Sequence, residues 1–375
     1  MPPPTYELTF LPYIAMRETD AIVFGNARLW NFTRQATLIA DEALRQRVGK
    51  LLAMYRDLAG DPTRGRPLSN IGVVSVGTAD LRPMTHQEFR DAQTLRYALF
   101  LCCLAQNVGQ HGPNAGHDTY TSENFDVIRQ RFTLESDTIA ESAGVILQRN
   151  LLGYKIGVAR FPTPSHVNRP LTFRFDQTLW TELSGLRRAN RKLYRRIVRA
   201  TSLFLGSYYN SHSLGAEARV LLQTAAFEVL LDLPEKGHRR VFKDTIESLL
   251  NNPMERRYRY KYEVPGEKVS ESRSLKGIWA DRFYTLRNHI IHGEPVQDRE
   301  YVFRGSQHHL LIAPLMFVSA IKRLIDRSRT DRGELPAFFD KCAWRRWASD
   351  DDEGPGQGFR IDTDFVALFT ARAHS

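Results

Sequence analysis

Cysteine is scarce in this chain: three in 375 residues, two of them adjacent (Cys102, Cys103) inside an apolar helical pattern. That usage excludes a disulfide framework and fits core packing in a reducing compartment. No CxxC pair and no paired Cys/His spacing is present to predict zinc. Runs of about eighteen apolar residues, which a membrane span needs, are also missing. Met1-Pro2-Pro3-Pro4-Thr5-Tyr6-Glu7 lacks the charged-then-apolar pattern of a signal peptide. No strand–GxGxxG–helix fingerprint marks a nucleotide site. The expectation is a cytoplasmic protein with no membrane partner, no metal and no cofactor.

What is present is most informative at Phe283-Tyr284-Thr285-Leu286-Arg287-Asn288-His289-Ile290-Ile291-His292-Gly293. Leu275, Ile278, Trp279, Arg282, Phe283, Leu286 and Ile290 recur at three- and four-residue steps, which predicts a helix with one apolar stripe. Gly293 and Pro295 are stop signals just past it. Arg287 can hold a phosphate oxygen bidentately and stays charged at any working pH. His292 can give or take a proton near neutrality. Together they suffice for metal-independent phosphodiester cleavage, and RNA carries its own 2′-hydroxyl nucleophile. Five residues at helical pitch set the two side chains about 140° apart, so a straight helix does not aim both at one atom. Fraying at Gly293, or a second copy of the site across a dimer, brings them together. A last-turn histidine also suits the negative end of the helix macrodipole without any chemistry. A second Arg-x4-His match, Arg304 to His309, lacks this helical context.

An earlier helix, Ser213 to Leu233, carries Leu214, Ala218, Leu221, Leu222, Ala225 and Val229 on its apolar face. Glu228 falls on that face, where a carboxylate is costly unless paired or protonated. Arg287 is the candidate partner; another arginine, or the helix edge, also satisfies the pattern.

Positive charge is unevenly placed. Lys and Arg outnumber Asp and Glu by 27 to 16 in residues 181–330, against 19 to 17 in residues 1–180 and 6 to 9 in residues 331–375. The excess lies in the segment that holds the Arg-His motif, as a nucleic-acid footprint does. Arg187, Arg188, Arg191, Lys192, Arg195, Arg196 and Arg199 recur at helical spacing as a basic face. Like charges at four-residue steps disfavour an isolated helix, and a polyanion or facing carboxylates relieve them. Arg256-Arg257-Tyr258-Arg259-Tyr260-Lys261-Tyr262 interleaves cations with aromatics; extended, it aligns three tyrosines on one side for stacking on single-stranded bases. A solvated helix face and an ordinary hairpin edge fit the same two runs. Arg188, Arg191, Lys192, Arg195, Arg257, Arg259 and Lys261 are the expected RNA contacts.

Ala225-Ala226-Phe227-Glu228-Val229-Leu230-Leu231 followed by the Phe283–Gly293 stretch resembles the HEPN superfamily, its Apea-like branch in particular, over about residues 184–330. The family pattern is an arginine, a polar residue (often asparagine) and a histidine four to six positions on, ending a helix of an all-α bundle. Arg287, Asn288 and His292 match it, and Glu228 matches the glutamate of the upstream helix; His289 matches nothing. The resemblance implies a metal-independent endoribonuclease active as a homodimer, of the kind common in anti-phage and toxin–antitoxin systems. An antitoxin or a phage-derived trigger is then an expected partner. Some members only bind RNA or dimerise, which is the alternative function. Asn288 becomes a hydrogen-bonding helper and Glu228 a group that orients Arg287.

The first half alternates strand-like and helix-like patterns. Leu8 to Ala15, Ala21 to Phe32, Ile71 to Val76, Phe125 to Leu134, Leu152 to Phe161 and Leu171 to Phe175 are predicted strands. Gln35 to Leu58 is a predicted helix, and Thr85 with Glu88 forms a capping box before another that ends near Val108. The loop Gly109 to Asp118 holds two histidines and an aspartate, which fit a phosphate or metal site and fit a surface loop better. Predicted helices follow at Leu183 to Tyr209, Ser213 to Leu233, His238 to Asn251, Ser270 to Ile291 and Tyr301 to Arg327. Pro162, Pro164 and Pro170 punctuate a boundary. The expected fold class is α+β: a mixed α/β domain over residues 1–180, with a sensor or regulatory role open to it, then an all-α HEPN-like bundle over 181–330. Residues 331–375 form an extension with an acidic linker at Ser349 to Gly356 and an apolar piece at Phe359 to Phe369.

Overall fold

The structure, a computed structural model, describes residues 4–329 except 17–20, 54, 58–65, 68–69, 78–80, 112–121, 135–137, 144–148, 151–152, 156–170, 173, 209–213, 235–236, 251–256, 265–266 and 305–306. Two compact units divide the chain: residues 1–106 with 119–214, and residues 107–118 with 215–375. Both strands and helices are present, and the fold class is α+β.

Through the first unit run β1 (Tyr6–Ala15), β2 (Ile22–Phe24), β3 (Ala27–Asn31), α1 (Phe32–Gln35), α2 (Glu42–Ala53), β4 (Arg56–Asp57), β5 (Arg66–Pro67), β6 (Ile71–Val76), α3 (His86–His111, of which the residues from Asn107 on fall in the second unit), β7 (Ile128–Phe132), β8 (Thr138–Ala143), β9 (Arg149–Asn150), β10 (Gly153–Lys155), β11 (Leu171–Thr172), α4 (Gln177–Ala189) and α5 (Arg191–Gly206). The main sheet has the order β2-β3-β6-β1-β7-β8-β10-β9, antiparallel between neighbours. β11 joins β1 in parallel at Ile14↔Leu171. Every residue of β1 from Glu7 to Ile14 is buried, as expected of a strand covered on both faces. α2 lays Leu44, Val48, Leu51 and Leu52 on Leu8, Phe10, Trp30, Val73 and Phe132. Each such side chain contributes about 1.5–3 kcal/mol of burial. The capping box is in place: the Glu88 backbone N–H donates to Thr85 Oγ1 at 3.2 Å and the Thr85 N–H to Glu88 Oε2 at 2.8 Å. Further on, α3 is buried all round from Ala98 to Ala105, Cys102 and Cys103 included.

Three expectations are corrected here. Ala21 to Phe32 is not one strand but the β2–β3 hairpin, turned at Gly25 with φ +64°. The helix expected from Gln35 begins at Glu42, where the Asp41 carboxylate accepts the Leu44 N–H at 3.0 Å. The helix expected from Leu183 to Tyr209 is two, because Asn190 turns its side chain back to accept the Leu193 N–H at 3.0 Å. These two helices also belong to the first unit, so the division falls at Gly215 rather than at 181. Ring contacts explain it: Phe24 of β2 lies 4.8 Å from Trp180 and 6.4 Å from Tyr194.

The second unit contains α6 (Ala216–Leu231), α7 (His238–Leu249), β12 (Arg257–Val264), β13 (Glu267–Ser274), α8 (Leu275–His292), β14 (Val302–Arg304), β15 (Gln307–His308) and α9 (His309–Ser328). Phe227 centres its core, with Phe242, Trp279, Phe283 and Phe317 rings 5.5–6.4 Å away. An all-α bundle was expected; instead β12 and β13 pair over eight residues inserted between α7 and α8. Ser270 to Ser274 are therefore strand, and α8 starts at Leu275 with the Ser274 hydroxyl accepting the Gly277 N–H. Likewise α9 starts at His309, after the short β14–β15 hairpin. No helix among the described residues is long and apolar enough to cross a membrane. The expected strand at 152–161, the boundary prolines, loop residues 112–118, the acidic linker and the 359–369 piece lie outside the described residues, save Gly153–Lys155.

Candidate functional site

Two helix ends meet in the second unit. α6 carries Glu228 in its last turn and stops at Asp232, a left-handed cap with φ +57°. α8 carries Arg287, Asn288 and His292 in its last two turns and stops at Gly293, φ +68°. The Gly293 N–H bonds the Ile290 carbonyl and the Glu294 N–H that of His289, closing the C-terminus at the glycine. Arg287 Nη2 lies 3.4 Å from Glu228 Oε1. Its Nη1 donates to Asn288 Oδ1 at 3.1 Å, and the guanidinium sits 5.2 Å over the Tyr284 ring. Glu228 and Arg287 are each about a fifth exposed, 22% and 23%. The ion pair is therefore at the edge of the core rather than deep inside it, which leaves Arg287 within reach of an incoming anion.

Two neighbours were not singled out from the sequence. Tyr284, 1% exposed, donates its hydroxyl proton to Glu228 Oε1 at 2.6 Å. Its one proton thus committed, the hydroxyl accepts from His238 Nδ1 at 3.0 Å, which fixes the histidine with hydrogen on Nδ1. Burial, and then the bond to Glu228, push the Tyr284 hydroxyl well above the usual phenol range. The result is a chain, His238 to Tyr284 to Glu228 to Arg287, that holds the carboxylate from behind while it orients the guanidinium. Tyr284 stands three residues before Arg287, on the same helix face. That spacing was the available signal; nothing local marks His238, which arrives from the start of α7.

The histidines of this region separate cleanly. His292 is exposed and has no hydrogen-bond or ion-pair partner among the described residues. His289 is committed to Glu300 at 2.7 Å and Glu294 at 3.6 Å. His309, from the second Arg-x4-His match, is 1% exposed and stacks on Phe283 at 5.7 Å. Burial pulls its imidazole down to about 3, so it is a neutral core residue.

The expected RNA contacts fall in different places. Arg188, Arg191, Lys192 and Arg195 lie on α4 and α5, which belong to the first unit, whereas the Arg-His helix belongs to the second. Arg257, Arg259 and Lys261 lie exposed on β12. Arg257 is 3.2 Å from Glu247, Arg259 donates to Ser270 Oγ at 3.2 Å, and Lys261 has no partner among the described residues. Tyr260 and Tyr262 do not offer free faces for bases. Tyr260 donates to Asp281 at 2.8 Å and stacks on Tyr262 at 5.5 Å, while Lys243 caps the Tyr262 ring at 4.4 Å. Their rings serve instead to fasten the hairpin to α7 and α8, with Arg239 on Asp281 at 2.7 Å and Lys243 on Glu271 at 2.6 Å.

No family model, curated protein or solved structure matches this chain. The chemistry must therefore be read from the site. A pre-oriented guanidinium, a neighbouring amide and an unencumbered imidazole can bind a phosphate and move a proton. Among the described residues no three His, Cys, Asp or Glu side chains are grouped to hold a metal ion.

Proposed function

We propose that the chain is a HEPN-type, metal-independent endoribonuclease acting as a homodimer. The observation that carries this reading is the pairing of Arg287 with Glu228 at 3.4 Å, on the same helix that leaves His292 exposed and unpartnered. His292 takes the proton of an RNA 2′-hydroxyl, whose oxygen attacks the adjacent phosphorus. The P–O5′ bond breaks, the leaving 5′-oxygen takes a proton from solvent water, His292 returns its own to solvent, and a 2′,3′-cyclic phosphate and a free 5′-hydroxyl result. Arg287 holds the non-bridging oxygens and offsets their charge in the transition state. Asn288, bonded to Arg287, supplies an amide to the phosphate or to the second copy. Because Arg287 and His292 diverge on one helix, a second subunit brings its own motif helix alongside. Ile291, 49% exposed beside His292, gives that contact an apolar centre.

A non-catalytic RNA-binding or dimerisation module is favoured instead by the engagement of Arg287 with Glu228, Asn288 and Tyr284 together, which a purely structural arginine also shows. The two readings separate when purified protein is incubated with total RNA in chelator beside Arg287→Ala. Cleavage that the substitution removes supports the enzyme; RNA that is retained but never cut supports the binding module.

A further inference from the structure

The first unit contains a cleft of about 950 Å³ between the β2–β3 turn, α3, α4 and α5. Six guanidinium groups line it: Arg90, Arg187, Arg188, Arg191, Arg195 and Arg199. Against them stands one carboxylate, Asp91, shared by Asn26 at 3.1 Å, Gln87 at 3.4 Å and Arg187 at 4.0 Å. The other five arginines make no ion pair among the described residues, although three of them repel one another along consecutive turns of α5. Arg191, Arg195 and Arg199 repeat every four residues, so they form one stripe on α5 with a cation about every 6 Å. Arg90 faces the same space from α3. A compact phosphate group meets one or two such side chains; a row of three over two turns, with others at its end and opposite, suits a linear chain of phosphates.

A second observation marks the same place. Tyr194 lines the cleft, is 8% exposed, and has a buried hydroxyl with no hydrogen-bond partner. A buried hydroxyl left unpaired destabilises the fold, and a phosphate or ribose oxygen in the cleft would satisfy it. Burial pushes this phenol up to about 12, so it remains a donor at any working pH. Tyr97, the other tyrosine in the lining, is half-buried and Phe24 is 2% exposed, so no open aromatic face is offered for stacking on bases.

We propose that this cleft binds the sugar–phosphate backbone of a single RNA strand without regard to base identity, as a holding site distinct from the residues that cut. It rests on RNA being the substrate of the Arg287–His292 site.

The test is fluorescence anisotropy of the full-length protein with a labelled 2′-O-methyl 12-mer, which lacks the nucleophile and survives the measurement. Each phosphate neutralised on a single strand contributes about −0.7 to the slope of log affinity against log salt. Five free arginines therefore give a slope of about −3.5, falling to about −2.1 in Arg191→Gln/Arg195→Gln, with affinity at least tenfold weaker. Tyr194→Phe should weaken binding severalfold and leave the slope unchanged, an outcome general damage would not give. Arg34→Gln, an exposed arginine outside the cleft, is the control and should change neither quantity. Wild-type slope and affinity in the double variant would overturn the proposal, even if cleavage stands. Tighter binding of tripolyphosphate than of the 12-mer would overturn it in favour of a small phosphorylated ligand. A protein that never cuts RNA yet shows the slope change would sink the nuclease reading and keep the cleft.

Discussion

Tyr284→Phe removes one oxygen from the chain that orients Arg287, and the cost can be worked from the geometry. The hydroxyl is buried and gives Glu228 a 2.6 Å bond, and a hydrogen bond to a carboxylate is worth about 1.5–3 kcal/mol. His238 loses an acceptor, but its side chain is 30% exposed and water can replace the hydroxyl. Tyr284→Phe should therefore cost about 2 kcal/mol. Glu228→Ala removes the same bond and also the countercharge of Arg287. With both partners about a fifth exposed, the guanidinium is partly rehydrated, and the total should be about 2–4 kcal/mol, somewhat less than the roughly 3–5 kcal/mol for breaking a fully buried pair. The double variant should cost little more than Glu228→Ala alone, so the two changes couple by about 1.5–2 kcal/mol. Denaturant midpoints at constant m-value give all three numbers. Costs that simply add, with coupling under about 0.5 kcal/mol, would show that the hydroxyl and carboxylate do not hold one another.

The remaining expectations concern pH, backbone and assembly. His309 is neutral in the fold, with its pKa lowered to about 3 from the usual 6.5, so the unfolded chain takes up a proton that the folded one refuses. The His309 contribution is complete above pH 6.5 and should be lost at about 1.4 kcal/mol per pH unit below it, with His308, lowered by burial to about 4, adding its own loss over the same range. Glu271 and Glu88, lowered to about 2, add their own losses only below about pH 4.5. Melting curves of His309→Leu should thus be flatter between pH 4.5 and 6.5, and an unchanged slope there would contradict the burial argument. Gly25→Ala meets a left-handed φ and puts a Cβ 1.6 Å from Arg187 Nη1. It should cost about 1–2 kcal/mol and release Arg187 from the hairpin, read by thermal melting. Mixing Arg287→Ala with His292→Ala subunits should restore part of the RNA cleavage if the motif helices meet across a two-fold axis; a monomer that cuts at full rate would exclude that arrangement.

Signals that are local in sequence were legible. The Thr85–Glu88 box and the Gly293 stop depend on residues three or four apart, and both are where their spacing puts them. The Glu228–Arg287 pair was legible only in part: a carboxylate among apolar residues calls for a partner, but the buried residues of α6 are Val220, Gln223, Thr224, Ala226, Phe227 and Leu230 rather than the expected face, and Glu228 sits at their edge, 22% exposed. Hidden features depended on distant segments. Asn190 interrupts a pattern that reads as one helix, since its side chain satisfies the backbone as well as a further turn would. The Ser270 to Ser274 stretch is polar enough to pass for a helix start, and only pairing with Arg257 to Lys261 makes it strand. That α4 and α5 belong with the sheet follows from Phe24 seating against Trp180 and Tyr194, more than 150 residues away, for which neither segment carries a mark.

End-group analysis of RNA cut in chelator, with wild type, His292→Ala and His289→Ala side by side, tests the central claim most directly. His292 is exposed and free to move a proton, whereas His289 is bound to Glu300. Wild type should leave 2′,3′-cyclic phosphate and 5′-hydroxyl ends, His292→Ala should leave the RNA intact, and His289→Ala should retain most of the activity. Linear 3′-phosphate-free ends, a strict requirement for divalent metal, or equal loss in both histidine variants would contradict the account.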